Sequence, residues 1–387
     1  MSVERVAVVG AGVAGLTAAL SFARHGIECD IFEEAQELRE VGAGLQISPN
    51  ASRILGELGV LPALEATWAE PERIALVSGT SGRDLAHVPV GESARQRWGA
   101  PYGVLHRATL QSALLVAVRA NPLCSLRLDT PLRCDIRASI KAVSNKSYPL
   151  IIGADGVWSE VREQVPGAPV ASFSGNVAWR FNLPQANVPQ WLSLRQVTAY
   201  LGPSAHLVAY PLKDTNSINL VAIASGISSA NVWDATASDA QHRMLLAQFG
   251  RWDRQLLQLL SSAENPTFWP LHQVSTGRWQ NGSDIVLIGD AAHAMMPFAA
   301  QGAAMAIEDA FALAARVSGV TSVATALSMF EAERTKRIAR VRARGAFNRF
   351  AYHARGPIRL GRDLVLAVKP PQSLAAELDW LYGYRMS

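Results

Sequence analysis

Arg5-Val6-Ala7-Val8-Val9-Gly10-Ala11-Gly12-Val13-Ala14-Gly15 lies almost at the start of the chain, and its reading decides the fold. Arg5–Val9 is a short β-branched run that reads as a buried parallel strand. The glycines follow at once. Gly10 permits the tight turn out of the strand, Gly12 lets a pyrophosphate approach the backbone, and Gly15 lets the next helix lie close on the strand. Leu16 to His25 is rich in alanine and leucine and reads as that helix, stopped by Gly26. The helix start beside Val13 and Ala14 presents backbone N–H groups and a positive dipole end to an anion. A second strand, Glu28–Phe32, leads into Glu33 and Glu34; Glu33 stands 18 residues past Gly15, where an acid accepts hydrogen bonds from ribose hydroxyls. The pattern marks a dinucleotide site without separating NAD from FAD.

Outward from this stretch, the chain has 387 residues, enough for two domains or one large fold with an insertion. Its hydrophobic fraction of 49% and charged fraction of 18% are those of a globular protein. The net charge of +4 comes from scattered Lys and Arg rather than from a run. That argues against nucleic acid and membrane partners. The apolar stretch from Val6 to Ala23 could pass for a signal peptide or a membrane span, but its glycines fit the nucleotide loop better. Cys29, Cys124 and Cys134 form no CxxC and no metal pattern, which fits a reducing cytoplasm and no bound metal.

Two further stretches repeat the strand-to-turn logic. Leu150-Ile151-Ile152-Gly153-Ala154-Asp155-Gly156-Val157-Trp158-Ser159-Glu160-Val161-Arg162 is the first. Asp284 to Gly289 then forms an apolar strand running into Asp290-Ala291-Ala292-His293, followed by Pro297-Phe298-Ala299-Ala300-Gln301-Gly302-Ala303. A carboxylate at the mouth of a strand suits a polyol. Small residues at a helix start suit an anionic or dipolar ring edge.

Taken together in this order, the three stretches resemble the motifs of the class A flavoprotein aromatic hydroxylases, the superfamily of p-hydroxybenzoate hydroxylase, which includes salicylate hydroxylase and 6-hydroxynicotinate 3-monooxygenase. The resemblance runs from Val6 to the end of the chain and is specific for the family, less so for one substrate. It implies an FAD-dependent monooxygenase that uses NADH or NADPH transiently and O₂ to hydroxylate a phenolic acid through a flavin C4a-hydroperoxide. On that likeness Gly10, Gly12, Gly15 and Glu33 hold the ADP half of FAD. Arg107 matches an FAD-contacting arginine, Asp155 and Gly156 a motif for pyrophosphate and nicotinamide nucleotide, and Asp290 a ribityl contact. Gly302 and Ala303 bring backbone N–H groups to the flavin edge. Gly42-Ala43-Gly44 and Gln46 resemble a loop beside the flavin ring, whose glycines permit motion. His293 is expected to brace a helix start. A second glycine fingerprint, which would hold NAD(P)H permanently, is missing.

The segment from about 171 to 275 changes character. Trp179-Arg180-Phe181, Gln196 to Leu201, His206 to Pro211 and Ile218 to Ala224 read as strands of an antiparallel sheet. Laid over a flavin, such a sheet would keep water out. His206 and Tyr210 share one strand face, and they resemble the His-x-x-x-Tyr of the 6-hydroxynicotinate enzyme. They are the candidate catalytic residues, to orient or deprotonate the phenol. Val221, Pro297 and Phe298 are further candidate substrate contacts. Gln46 and Phe298 stand where the pyridine enzyme has histidines, which favours a salicylate- or monohydroxybenzoate-like ring over 6-hydroxynicotinate. A flavin dehydrogenase or oxidase without oxygen insertion is the alternative.

The expected fold is α/β. A Rossmann-like FAD-binding domain is built from residues 1–74, 100–170 and 276–320. An antiparallel β-sheet substrate domain is inserted as residues 75–99 and 171–275, and a C-terminal helical segment covers 321–387. A small aromatic substrate and O₂ are the expected partners, with a homodimer as the candidate assembly. The charged face of Glu331 to Arg349 reads as solvated, His353 shows no partner pattern, and Pro131 to Tyr148 gives no clear element.

Overall fold

The computed structural model describes residues 3–38, 44–226 and 235–386. A five-stranded parallel sheet carries the nucleotide fingerprint. Its order is Ile285–Leu287, Ile151–Gly153, Arg5–Val9, Glu28–Phe32, Cys124–Arg127. The strands Ile285–Leu287, Ile151–Gly153 and Arg5–Val9 are apolar runs because helices cover both faces, whereas the edge strand Cys124–Arg127 is polar and only half-buried. The strand order reverses beside Arg5–Val9. The carboxyl ends of this strand and of its neighbour Ile151–Gly153 therefore open a crevice at the topological switch point.

The glycine loop is shorter than the sequence implies, since the helix starts at Val13 and ends at Ala23. Gly10 has a positive φ of 99°, and a Cβ on it would lie 2.6 Å from the Ala154 carbonyl oxygen. A Cβ on Gly15 would lie 1.9 Å from the Gly10 carbonyl oxygen, so any larger residue would push the helix off the strand.

The second sheet has eight strands. Its order is Ala235–Thr236, Thr267–Val274, Ala171–Pro184, Ser217–Ser225, Ala205–Leu212, Gln196–Gly202, Arg73–Ser78, Asp84–Pro89. It is antiparallel except that Gln196–Gly202 runs parallel to Arg73–Ser78. The exception follows from the chain path, which leaves the sheet after Asp84–Pro89 and returns through the nucleotide-binding layer before re-entering. Trp179, Phe181, Leu207, Leu220 and Ala222 pack one face against the helices Asp239–Phe249 and Arg254–Ser261. The alternating residues of the same strands, Arg180, His206, Val208, Tyr210, Val221 and Ile223, look the other way, toward the crevice.

Pro131 to Tyr148 holds a helix after all, Ile136–Ser144. It is capped by Asp135, whose carboxylate accepts from Ala138 N at 3.1 Å, and Ile136 and Ile140 are its buried residues. The C-terminal segment begins with a thirty-residue helix, Val323–Tyr352, followed by Gly356–Val368 and two short helices. Its charged stretch is not simply solvated, as the sequence implies. Arg334 is fully buried and Arg337 nearly so. Arg334 donates to Glu308 at 2.8 Å and to Asp309 at 2.7 Å. Arg337 donates to Glu308 at 2.9 Å and to the carbonyls of Trp380 and Leu381. No helix among the described residues is long and apolar enough to cross a membrane.

Candidate active site

The crevice at the switch point widens into a cleft of about 690 Å³ between the two sheets, within the size range of preformed cofactor and ligand sites, about 300–1,000 Å³. Of the residues singled out in the sequence, Gly10, Gly12, Val13, Ala14, Glu33, Glu34, Gly44, Gln46, Arg107, Asp155, Gly156, Asp290, Pro297, Gly302 and Ala303 line it, as do His206, Tyr210 and Val221. Two do not. Gly15 is buried beneath the loop, in its helix-packing position. Phe298 faces a neighbouring chamber instead, where its ring packs 5.1 Å from that of His206. Gly42 and Ala43 lie outside the described residues.

At one end of the cleft, Glu33 accepts from Ala11 N at 2.7 Å and Ala35 N at 2.9 Å, so its carboxylate also fixes the glycine loop. A Cβ at Gly12 would meet nothing within 4 Å, which leaves the backbone there open to a ligand. Glu34 pairs with Arg133 at 2.7 Å on the rim.

In the middle, Asp155 accepts from Val161 N at 3.1 Å through Oδ2, while its buried Oδ1 has no hydrogen-bond partner among the described residues. Burial raises its pKa, against the hydrogen bonds that lower it. Arg162, the last residue of that motif, is buried and stitches two motifs together. It donates to the carbonyls of Ala291 (2.8 Å), Val157 (2.8 Å), Gly156 and Asp290. The side chain of Asp290, first residue of a short helix, is exposed to the cleft. Gly302 and Ala303 begin the seventeen-residue helix Gly302–Ser318 and aim its N-terminus into the cleft. His293 braces this arrangement as expected: its Nε2 meets Asp309 Oδ2 at 2.5 Å, and the same oxygen accepts from Gly289 N.

At the far end, the sheet face closes over the cleft. His206 is buried, and its Nδ1 lies 2.9 Å from His353 Nε2. His353 thus has a partner that the sequence did not disclose. Burial first, then the neighbouring His353, hold the His206 pKa well below the usual histidine range. His353 is lowered to about 4 by burial and by Arg349 and Arg355. Tyr210 is buried against Gly44: a Cβ on that glycine would sit 2.6 Å from the Tyr210 ring. Burial raises the Tyr210 hydroxyl above its ordinary range, with Arg180 pulling the other way. Tyr102 donates to Gln46 Oε1 at 2.6 Å.

Sequence reasoning missed Arg180, Arg133, Trp158 and Ile223 on the cleft wall. Arg180 stacks 5.0 Å from the Trp269 ring, and its buried Nε has no hydrogen-bond partner among the described residues. Its only sequence signal was a charge in an otherwise apolar strand, Ala178-Trp179-Arg180-Phe181.

The donor set fits FAD. An unpartnered carboxylate oxygen, two helix N-termini, an open glycine backbone and an exposed Asp290 are spread along one continuous cleft, as the phosphates, ribityl chain and ring of one elongated molecule require.

Comparison with known proteins agrees. Residues 4–344 match the family described as FAD binding domain. The chain is 32% identical over 391 residues to 3-hydroxybenzoate 6-hydroxylase 1 of Aquipseudomonas alcaligenes, covering 98% of each chain. It is 31% identical to a 3-amino-4-hydroxybenzoate 2-monooxygenase of Streptomyces platensis, over 98% of this chain and 96% of that one. Among solved structures it superposes on HpxO of Klebsiella pneumoniae complexed with FAD, with a TM-score of 0.80, 20% identity and 98% of each chain covered. The chain belongs to the family of FAD-dependent monooxygenases that hydroxylate aromatic rings.

Proposed function

We propose that this enzyme hydroxylates a phenolic acid of the monohydroxybenzoate class, with NADH or NADPH as transient reductant and O₂ as the second substrate, in a reducing cytoplasmic setting. The observation that carries the reading is the sheet face of Arg180, His206, Val208, Tyr210 and Val221, with His206 and Tyr210 buried, at one end of a cleft that fits FAD. The bound FAD would supply the redox and oxygen-activating chemistry. Gly10, Gly12, Glu33, Arg107, Asp155, Asp290, Gly302 and Ala303 would hold it.

The chain's own residues handle the ring. His206 is neutral at ordinary pH. When its Nδ1–H donates to His353 Nε2, the Nε2 lone pair is left for the phenol hydroxyl. Its low basicity favours orienting the hydroxyl and drawing on its proton over full abstraction. The Tyr210 hydroxyl stays protonated and offers a donor farther along the same strand face. Arg180 supplies a cation in a dry site, where attraction for a carboxylate or for developing negative charge is strong. Val208, Val221 and Met295 keep water from the reacting ring. With Phe298 turned into the neighbouring chamber, Gln46 is the cleft residue that stands where the 6-hydroxynicotinate enzyme has a histidine, which favours a benzenoid ring over a pyridine. The relatives that act on 3-hydroxybenzoate and 3-amino-4-hydroxybenzoate support the same substrate class.

The test is a screen of hydroxybenzoates with FAD-loaded protein, following NADH and NADPH oxidation, O₂ uptake and product mass. At least one phenolic acid should accelerate NAD(P)H oxidation and gain one oxygen atom. Acceleration with no oxygen gained by any acid would point to the dehydrogenase or oxidase reading.

A further inference from the structure

Beside the cleft lies a second chamber of about 410 Å³. The two share a wall: Gln46, His206, Val208, Pro297 and Ala300 line both. The chamber continues away from that wall between the outer strands of the eight-stranded sheet and the C-terminal helices, past Leu76, Ala199, Leu201, Phe298, Leu366 and Leu381. Resting on the hydroxylase reading above, we propose that this chamber is a second substrate subsite, which takes an apolar substituent, an alkyl or prenyl-like chain, carried by the phenolic ring.

Size argues for it. A cavity of roughly 150 Å³ is enough for one benzene ring, so a bare hydroxybenzoate needs nothing of this volume beyond the ring site. Chemistry argues for an apolar occupant. The wall is mostly apolar, and several of its polar groups are already engaged by the protein. The Tyr102 hydroxyl donates to Gln46 and Asn348 donates to the Phe298 carbonyl at 2.9 Å. The cations lining the chamber are paired, Arg362 with Asp363, and Lys369 and Arg344 with Glu377. Arg344 Nε and Arg362 Nη2 have no hydrogen-bond partner among the described residues, but the rest of the lining is predominantly aliphatic and aromatic, and against it a chain of methylenes gains from burial. Continuity with the ring site argues that the occupant is part of the substrate rather than a separate ligand. The junction runs past His206, so a substituent passing through it would also hold the phenol against that imidazole.

The experiment is a binding series with FAD-loaded protein. Hydroxybenzoates bearing methyl to pentyl groups at each open ring position are titrated, and Kd is read from the flavin absorbance change. In parallel, kcat/KM is measured for NAD(P)H oxidation and hydroxylated product. At one ring position Kd should fall about fourfold for each added methylene, the equivalent of about 0.8 kcal/mol per buried CH₂. Ala199→Phe fills the chamber from the strand side. Val365→Trp fills it from the half-exposed helix Gly356–Val368, where folding is less at stake. Both should flatten the chain-length response. If Kd is flat or rises with chain length at every position while the parent acid is hydroxylated, the chamber is not a substrate subsite, and an access path or a face covered by another copy takes its place. Failure of the hydroxylase reading looks different: no phenol, alkylated or bare, accelerates NAD(P)H oxidation.

Discussion

His206 illustrates how one side chain is set by several elements at once. The strand alternation turns it toward the cleft, the sheet buries it, and His353, from just past the end of the helix Val323–Tyr352, holds its Nδ1. Removing the imidazole with His206→Ala, or the hydroxyl with Tyr210→Phe, should slow product formation by roughly 10²–10⁴-fold and tens-fold respectively, since positioned proton-handling groups have effects of this order. FAD content should stay normal, and more NAD(P)H oxidation should end as H₂O₂, because a loosely held ring wastes reducing equivalents. Wild-type rates and coupling in both variants would mean that the two side chains only fill the sheet. Asp290 makes the contrasting case. Its side chain is exposed at the cleft and accepts no hydrogen bond from the described residues, so Asp290→Ala should lower FAD retention after gel filtration with little change in the Tm of the apoprotein. Equal FAD content would remove it from the cofactor contacts. Both residues were legible in the sequence because each sits in a motif. Arg180 was not. A single cation in an apolar strand acquires meaning only when Trp269, Tyr210 and the cleft are brought around it from three other stretches of chain.

At the scale of elements, the helices Gly302–Ser318 and Val323–Tyr352 are joined by buried charge. Glu308 and Asp309 on the first meet Arg334 and Arg337 on the second, and Asp309 passes the connection to Gly289 and His293 beneath the cleft. Burial alone would raise the Asp309 pKa, but His293 and Arg334 outweigh it and hold the carboxylate charged. A pair of this kind is costly to break from one side, by about 3–5 kcal/mol, because the remaining charge is left in a dry interior. Arg334→Met should therefore lower Tm by several degrees and loosen FAD through the Gly289–His293 turn. Arg340→Met, on the exposed face of the same helix, should do neither. A melting curve unchanged by Arg334→Met would show that Arg337 alone satisfies the cluster. The long helix itself was readable from composition, and the structure caps it with Ser322, whose side chain accepts from Thr325 N. Its charged run was not, since the spacing of Arg334 and Arg337 is equally that of a solvated face, and only the partner helix decides which side is buried.

Across the whole molecule, four strands of the parallel sheet were readable because each strand–turn step is local and marked by glycine or Asp; the fifth, Cys124–Arg127, is short and polar and carries no such mark. Of the eight-stranded sheet the four central strands were readable from their apolar runs, but neither the outer strands nor the order was. Residues 73–89 and 171–274 pair across the nucleotide-binding layer, and the one parallel pairing is a consequence of that path. The second chamber was invisible for the same reason, being closed by helices from the far end of the chain. The meeting of sheet and C-terminal helices at His206 and His353 also sets how the protein responds to acid. Both histidines have folded pKa values below the ordinary 6.5, His353 at about 4 and His206 well below the usual range, each through burial first. The unfolded chain takes up protons on these groups near pH 6.5, and the folded chain does not until lower pH. Their contribution to stability is therefore complete above about pH 6.5 and is lost progressively as pH falls toward 4. Carboxylates held low by partners, such as Asp284 beside Arg137 and Asp379 beside Arg97, lose their contribution only below that window. Thermal melts from pH 8 to pH 3 should show Tm flat above about 6.5 and falling below it. His353→Gln, which keeps a hydrogen-bonding group next to His206 Nδ1 but cannot titrate, should flatten the upper part of that fall and leave the drop below pH 4 in place. An identical profile in the variant would mean that the acid sensitivity arises away from the junction of the sheet and the C-terminal helices.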